Sequence, residues 1–171
     1  MLKPGDAIPS VLVPATAGLC DRPTPLAELA ARGPMVLYAY PADGTPLCTR
    51  QACMVRDLLA EHAQALHEAG VRVAGVSPQG PASHERFARR HRLGFPIIAD
   101  PDKAVLGALD ALGPLGIVRR VTYLLLPDGT VGDAVTADLR LGRHERFLRR
   151  ALASLAGDAS ASSQGGTAEN P

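Results

Sequence analysis

One short segment of this chain carries residues whose types and spacing could perform redox chemistry. Residues 41–53 read Pro-Ala-Asp-Gly-Thr-Pro-Leu-Cys-Thr-Arg-Gln-Ala-Cys, and a long amphipathic helix begins within them. The thiolate is the reactive form of cysteine, and a helix N-terminus favours negative charge. Cys48 falls in or beside the first helical turn, where its thiolate would be stabilised. Cys53 follows five residues later and could resolve whatever Cys48 forms.

The residues around Cys48 suit a nucleophile that needs fixed surroundings. The hydroxyl of Thr45 can donate a hydrogen bond to a thiolate or accept one from a bound substrate. Pro41 and Pro46 fix backbone dihedral angles and remove amide donors, which makes the loop stiff. A nearby cation would stabilise the thiolate further, and arginine suits this role because it does not deprotonate and presents several donors in one plane.

The two cysteines also allow explanations other than catalysis by Cys48. A bare pair separated by four residues is equally consistent with two small buried core residues or with a structural pair. A thiol–disulfide oxidoreductase would place its second cysteine within one turn, which Cys53 does not do. A non-enzymatic binding module or redox-linked holdase would need neither Thr45 nor a positioned arginine. Cys20 lies in a loop-like segment and is interpreted as a bystander.

The elements that must position this segment alternate between strands and helices. A three-layer α/β domain over residues 1–156 is therefore expected, with a mixed central sheet and an antiparallel edge. Sites in such sheets lie at the carboxyl ends of strands, where the 41–48 loop also lies. A tail of small residues over 157–171 is predicted to be disordered. The predicted strands cover 11–13, 35–40, 71–76, 96–99, 120–126 and 131–135, and the helices 26–32, 49–69, 82–92, 102–109 and 142–155.

The composition gives no reason to expect nucleic acid or membranes as partners. The 171 residues include 18 Lys and Arg against 17 Asp and Glu, so charge gives no reason to expect nucleic acid or an anionic membrane. No apolar run approaches the roughly 20 residues of a membrane span, and no secretory signal is recognised, so a cytoplasmic location is expected.

Four arginines are interpreted as a solvated helix face: Arg86, Arg89, Arg90 and Arg92. Five histidines lack metal-ligand spacing and are interpreted as surface or boundary residues: His62, His67, His84, His91 and His144.

The pattern Pro41-x-x-x-Thr45-x-x-Cys48 resembles the active-site motif of the peroxiredoxins, thiol peroxidases with a thioredoxin-like fold. The resemblance covers about residues 3–155, and the wider pattern is similar to the Q-type branch, the bacterioferritin comigratory proteins. The matching segments are Tyr38 to Pro41, Thr45 to Thr49, Ala52-Cys53, Arg56-Asp57, Gly75 to Pro78, Ser83-His84, Phe87-Ala88, Phe95-Pro96, Asp100, Arg120 to Leu124, and Asp128-Gly129.

The resemblance implies a role for each matching residue. Cys48 would be the peroxidatic cysteine, Thr45 and Pro41 its motif partners, Arg120 the active-site arginine and Cys53 the resolving cysteine. The implied activity is reduction of hydrogen peroxide and organic hydroperoxides through a sulfenic acid and an intramolecular disulfide. Thioredoxin is the implied reductant, with glutaredoxin as the alternative, and a monomer without metal or organic cofactor is expected.

The chain departs from the Q-type pattern at three positions. Leu47 stands where this branch usually has Gly, Ala42 where Lys is common, and Gln51 where Glu is common. Leu47 could narrow the approach to the thiol. None of the three removes a group that the chemistry requires, so they bear on rate and on substrate size.

Two geometric expectations follow from the spacing. Alternation along a strand sends Arg119 and Arg120 to opposite faces, and Arg119 is expected to be solvated. Five residues on an intact helix separate Cα atoms by about 8.6 Å. A disulfide needs Cα atoms within about 7 Å. We therefore expect the start of the helix to unwind whenever Cys48 and Cys53 pair.

Overall fold

The computed structural model describes residues 1–163, with side chains as far as residue 155. Thirteen strands and helices follow one another in this part of the chain, with a short 3-10 turn at Pro114–Gly116 between α5 and β6. They are β1 (Leu12–Val13), β2 (Thr24–Pro25), α1 (Leu26–Ala31), β3 (Met35–Ala39), α2 (Pro46–Glu61), α3 (Ala63–Glu68), β4 (Arg72–Ser77), α4 (Pro81–His91), β5 (Ile97–Ala99), α5 (Ala104–Ala108), β6 (Val121–Leu125), β7 (Val131–Thr136) and α6 (Leu141–Ser163).

The central sheet has five strands in the order β5-β4-β3-β6-β7. Strands β3, β4 and β5 run parallel, whereas β6 is antiparallel to β3 and β7 is antiparallel to β6. The expected mixed sheet with an antiparallel edge is therefore confirmed. Strands β1 and β2 form a separate two-stranded sheet. The sequence predicted β1 but not β2.

Strand β3 divides the core into two apolar layers because its side chains alternate between the faces of the sheet. Met35 and Leu37 pack on one face with residues of α1 and α5. Val36 and Tyr38 pack on the other face with residues of α2, α4 and α6. The sheet is thus covered by helices on both faces, which confirms the three-layer architecture.

Two predicted helices differ from those observed. The helix expected over 49–69 begins earlier, at Pro46, and is divided into α2 and α3 at His62, whose φ and ψ are −111° and 16°. Apolar periodicity continues across this break and neither Gly nor Pro marks it, so the pattern did not reveal it. The last helix continues past its predicted end at residue 155 to Ser163. Residues 157–163 of the predicted tail thus belong to α6, and the remainder of the predicted tail lies outside the described residues.

The interpretation of all five histidines as surface or boundary residues is wrong for His84 and His144, which are buried. Each is buried with a hydrogen-bonding partner: Asp43 for His84, and Thr122 and Ala137 for His144. Such partners come from other elements, so sequence position alone did not indicate them. Across residues 1–163, none of the helices is both long and apolar enough to cross a membrane.

Candidate active site

The register of the sheet brings a distant arginine to the cysteine loop. Strand β3 ends at Ala39 and leads directly into the 40–45 loop. Because β6 is antiparallel to β3, its first residue, Val121, pairs with Ala39. Arg120 therefore lies beside the carboxyl end of β3, although it is 72 residues from Cys48 in the chain.

Cys48 occupies the first turn of α2. Thr45 is the N-cap residue, Pro46 is the first helical residue and Cys48 is the third. The first hydrogen bond of the helix runs from the Thr49 amide to the Thr45 carbonyl, at 2.9 Å. The amides before Thr49 have no partner within the helix, and the positive end of the helix dipole lies at this turn. The backbone thus favours an anion at the position of Cys48.

The guanidinium group of Arg120 contacts the sulfur of Cys48. Its Nη1 and Nη2 atoms lie 3.6 Å and 3.5 Å from Sγ, and Cys48 and Arg120 are only 2% and 4% exposed. None of the ion pairs among the described residues includes Arg120. A buried cation is costly unless an anion balances it, and the Cys48 thiolate is the anion that the geometry offers. Arg119 instead is half-exposed, and its Nη2 lies 3.5 Å from Thr136 Oγ1.

The backbone amide of Arg120 is also fixed. It donates to Asp138 Oδ1 at 2.7 Å, and the Arg120 carbonyl accepts from the Ala137 amide at 3.3 Å. These bonds hold the arginine at the start of β6, where its side chain reaches Cys48.

Thr45 and Pro41 lie in the same loop but do not contact the sulfur directly through a hydrogen bond. The Thr45 side chain is exposed, and its hydroxyl donates to the Ala42 carbonyl at 3.3 Å rather than to Cys48. Pro41 lines an apolar pocket together with Leu47 and Arg120. Pro41 therefore lies beside Arg120 in this pocket, whereas the Thr45 hydroxyl is turned back onto its own loop.

Cys53 is half-buried and, like Cys48, is a free cysteine. Both residues lie on α2, which is one continuous helix from Pro46 to Glu61. Their Cα atoms are therefore separated by about 8.6 Å, too far for a disulfide without a change in the helix.

A buried polar network anchors the loop, and the sequence pattern did not predict it. Asp43 Oδ2 accepts from Ser83 Oγ at 2.7 Å and lies 2.8 Å from His84 Nδ1, while Oδ1 accepts from Tyr40 at 2.6 Å. The Asp43 amide donates to Gln79 Oε1 at 3.2 Å. The loop is thereby tied to the N-terminal turn of α4. An acidic residue inside a Pro- and Gly-containing loop was the available signal, but its partners lie far along the chain.

The network also sets the charge of this loop. Burial alone would raise the pKa of Asp43, but hydrogen bonds from His84, Tyr40 and Ser83 outweigh it and lower the pKa. Burial raises the pKa of Tyr40, and nearby Tyr38 and Asp43 raise it further. Asp43 is therefore an anion and Tyr40 a neutral donor at neutral pH.

For Gln51, the sequence indicated only a departure from the Q-type pattern. It is 0% exposed, and neither atom of its amide has a hydrogen-bond partner among the described residues. The Nε atom of Arg120 is likewise buried without a partner in this part of the chain. Side chains on a helix lean toward its N-terminus, so the Gln51 amide leans over the turn that carries Cys48. An unpaired buried amide costs about 1–3 kcal/mol.

An apolar pocket of about 450 Å³ opens beside Arg120. Leu47 lines it, and so do Leu115, Ile117 and Leu139, whose side chains are 98%, 63% and 83% exposed. Three of the four large apolar side chains that are exposed within the described residues thus surround one pocket. Such clustering marks a binding surface rather than scattered surface residues.

No group of three or more His, Cys, Asp or Glu side chains in the described part of the chain is placed to hold a metal ion. The chemistry that this arrangement supports is that of the thiolate itself. A buried sulfur anion beside a fixed cation can attack an electrophile that gains negative charge, and the cation can stabilise that charge.

Comparison with known proteins agrees with this chemistry. The family model described as "AhpC/TSA family" matches residues 4–134. A Mycobacterium tuberculosis protein assigned to the peroxiredoxins is 34% identical over 159 residues, which cover 88% of this chain and 95% of the relative. The crystal structure of peroxidoxin BcpB from Mycobacterium tuberculosis is 28% identical, with a TM-score of 0.73 and coverage of 92% of this chain and 98% of that one. A Xanthomonas campestris bacterioferritin comigratory protein, solved in a study of its alkyl peroxide reduction, is 27% identical, with a TM-score of 0.70 and coverage of 90% and 99%.

Proposed function

The chain belongs to the AhpC/TSA family and is a thiol-dependent peroxidase, and from this premise we propose that it reduces hydrogen peroxide and organic hydroperoxides through a Cys48 sulfenic acid that Cys53 resolves as an intramolecular disulfide. The contact between Arg120 and Cys48 carries the proposal. It supplies both a charge-stabilised nucleophile and a cation for the oxygen that leaves.

The first step forms a sulfur–oxygen bond. The Cys48 thiolate attacks the terminal oxygen of the hydroperoxide, the O–O bond breaks, and Cys48 becomes a sulfenic acid. The remaining oxygen departs as an alkoxide or hydroxide and takes a proton from solvent. Arg120, whose terminal nitrogens face the sulfur, stabilises the negative charge that develops on this oxygen. Thr45 and Pro41 shape the loop that holds the substrate.

The second step forms the disulfide. The Cys53 thiol attacks the sulfenic sulfur, a disulfide forms, and the hydroxyl leaves as water after taking the thiol proton. An external protein dithiol then reduces the disulfide by exchange, with thioredoxin as the proposed reductant and glutaredoxin as the alternative.

Pairing requires a change in α2. Because the intact helix holds the two Cα atoms about 8.6 Å apart, we infer that its first turns unwind when Cys53 attacks. Thr45 makes no side-chain cap bond to the helix, so this end lacks one common stabilising contact.

The apolar pocket supports activity toward organic hydroperoxides. It adjoins Arg120, and Leu47, Leu115 and Leu139 provide the surface that an alkyl chain would contact. Reduction of alkyl peroxides by the Xanthomonas campestris relative supports the same assignment for this chain.

Mass spectrometry of the reduced protein after one equivalent of hydrogen peroxide tests the proposal. We expect a Cys48–Cys53 disulfide in the wild type and, in Cys53→Ser, a sulfenic acid at Cys48 that a dimedone probe traps. Cys20→Ser is the matched control and should form the same disulfide as the wild type. A Cys48 that stays unmodified at neutral pH would overturn the proposal, and a disulfide that includes Cys20 would overturn the assignment of Cys53.

A further inference from the structure

A second groove shares none of its lining residues with the apolar pocket. It has a volume of about 520 Å³ and lies between the first turns of α2 and the exposed side of α4. We call it the basic groove, and its lining residues are Asp43, Gly44, Pro46, Thr49, Ser83, Arg86, Phe87, Arg90 and His91.

The groove carries two arginines that form no ion pair within the described chain. Arg86 and Arg90 lie one turn apart on α4 and both are exposed, and no ion pair of the described residues includes either one. Like charges at this spacing destabilise a helix slightly. Arg89, on the same helix but outside the groove, instead lies 4.0 Å from Glu85. The one acid in the lining, Asp43, is already bonded to Ser83, His84 and Tyr40.

The groove leads toward Cys53. Thr49 lines it, and Cys53 is four residues later on α2, so the two lie on the same side of the helix. Arg56, beyond Cys53, donates from Nη1 to the His91 carbonyl at 2.7 Å and thereby joins this side of α2 to the end of α4. Cys53 is half-buried whereas Cys48 is buried, so Cys53 is the more exposed of the two residues.

We propose that the basic groove is the docking surface for an acidic face of the protein dithiol that reduces the enzyme. The proposal rests on the disulfide cycle given above. Guanidinium groups bind carboxylates through paired hydrogen bonds, and complementary charge raises the rate of protein association. Helix α4 carries neither cysteine, so disulfide formation does not itself require Arg86 or Arg90 to move.

Docking positions the partner for thiol–disulfide exchange with the Cys48–Cys53 disulfide. A thiolate of the partner attacks Cys53 Sγ, the Cys48–Cys53 bond breaks, and Cys48 leaves as a thiolate while a mixed disulfide forms. The second thiol of the partner then loses its proton and attacks the partner's sulfur in the mixed disulfide. This attack releases Cys53 as a thiolate, which takes up a proton. The partner loses two electrons and becomes a disulfide, and the two cysteines of the enzyme gain those electrons.

Charge reversal with a matched control tests this assignment. Arg86→Glu and Arg90→Glu change groove residues, whereas Arg89→Glu changes an exposed arginine of the same helix outside the groove. We expect both groove variants to lose at least about fivefold in kcat/KM for an acidic bacterial thioredoxin, and Arg89→Glu to lose less than twofold. Raising the salt concentration should slow the wild type with thioredoxin and leave the groove variants nearly unaffected.

Two further measurements separate docking from chemistry. Oxidation of Cys48 by peroxide and reduction of the disulfide by uncharged dithiothreitol should match the wild type in all three variants. Equal effects of Arg89→Glu and Arg90→Glu with thioredoxin, or equal slowing with dithiothreitol, would overturn the docking surface and leave the peroxidase mechanism standing. Absence of a Cys48–Cys53 disulfide in the oxidised protein would overturn both.

Discussion

Nη2 of Arg120 lies 3.5 Å from Sγ of Cys48, and both residues are almost completely buried. The guanidinium forms no ion pair with a carboxylate within the described residues, so the sulfur is the partner that can balance its charge. In the proposed cycle, this pairing lets one side chain both hold the nucleophile as an anion and receive the charge that develops during peroxide cleavage.

Replacing the arginine tests its part in the first step. Arg120→Met keeps most of the side-chain volume but removes the charge, so we expect the second-order rate constant for Cys48 oxidation to fall by about 10²–10³. Stopped-flow measurement of that rate with hydrogen peroxide provides the check. Arg22→Met is the control, because Arg22 is exposed and does not line the apolar pocket, and it should stay within about twofold of wild type. Similar losses in both variants would contradict the assignment.

The apolar pocket should determine the preference among hydroperoxides. Leu47→Ala removes apolar contact beside Arg120, so we expect kcat/KM for cumene hydroperoxide to fall about tenfold relative to that for hydrogen peroxide. Leu12→Ala, which changes another exposed leucine away from the pocket, should leave the ratio unchanged. An increase of both rates in Leu47→Ala would instead mean that Leu47 obstructs the thiol.

Gln51 offers a test of the energetics of α2. Gln51→Met replaces a buried amide that lacks partners by an apolar side chain of similar shape, so the free energy of unfolding should rise by about 1–2 kcal/mol. Urea denaturation of the reduced protein measures this change. Because the folded helix is stabilised, attack by Cys53 on the sulfenic acid should also become slower. Gln64→Met, on the exposed side of α3, should change neither quantity; a destabilised Gln51→Met would show that the amide has a partner in solution.

Hydrogen exchange should report the opening of α2. We expect amides of residues 48–58 to exchange faster in the disulfide form than in the reduced form, because pairing requires the first turns to unwind. Amides of α4 serve as the internal control and should keep their protection. Identical protection of residues 48–58 in the two forms would contradict the unwinding.

The buried His144 predicts a dependence of stability on pH. The pKa of His144 is lowered, chiefly because the side chain is buried and also because the charge of Arg120 is near. The hydrogen bond to the Ala137 carbonyl acts in the opposite direction but does not outweigh these effects. A group whose pKa is lower in the folded state binds its proton preferentially in the unfolded state. Its contribution to stability is therefore present above a pH of about 6.5, the ordinary pKa of histidine, and is lost as the pH falls below that value.

Urea unfolding at pH 7.5 and at pH 5.5 measures this dependence. The wild type should lose stability at the lower pH, and His144→Gln should lose less, because glutamine keeps a donor and an acceptor but does not titrate in this range. His67→Gln, which changes an exposed histidine, should behave as the wild type. Equal pH dependence in wild type and His144→Gln would remove His144 as the cause.

The local pattern determined much of this fold. Apolar runs marked β3 and β4 because strands buried on both faces must be apolar throughout, and Pro127-Asp128-Gly129 marked the hairpin between β6 and β7 because its turn needs those residue types. The same kind of local information placed Cys48 at a helix start. Breaks without Gly or Pro, such as that at His62, left no comparable signal.

The sequence by itself predicted Cys48 as the reactive cysteine, since motif and helix start both depend on neighbours within a few residues, and the family resemblance predicted Arg120 as its partner. Only the tertiary structure decided how these residues meet and which other groups join them. Arg120 reaches Cys48 through the antiparallel register of β6 and β3, and His84 reaches Asp43 because α4 packs beside the loop. Burial, hydrogen bonding and pocket lining depend on which elements meet in space, and that is set by packing between residues distant in the chain.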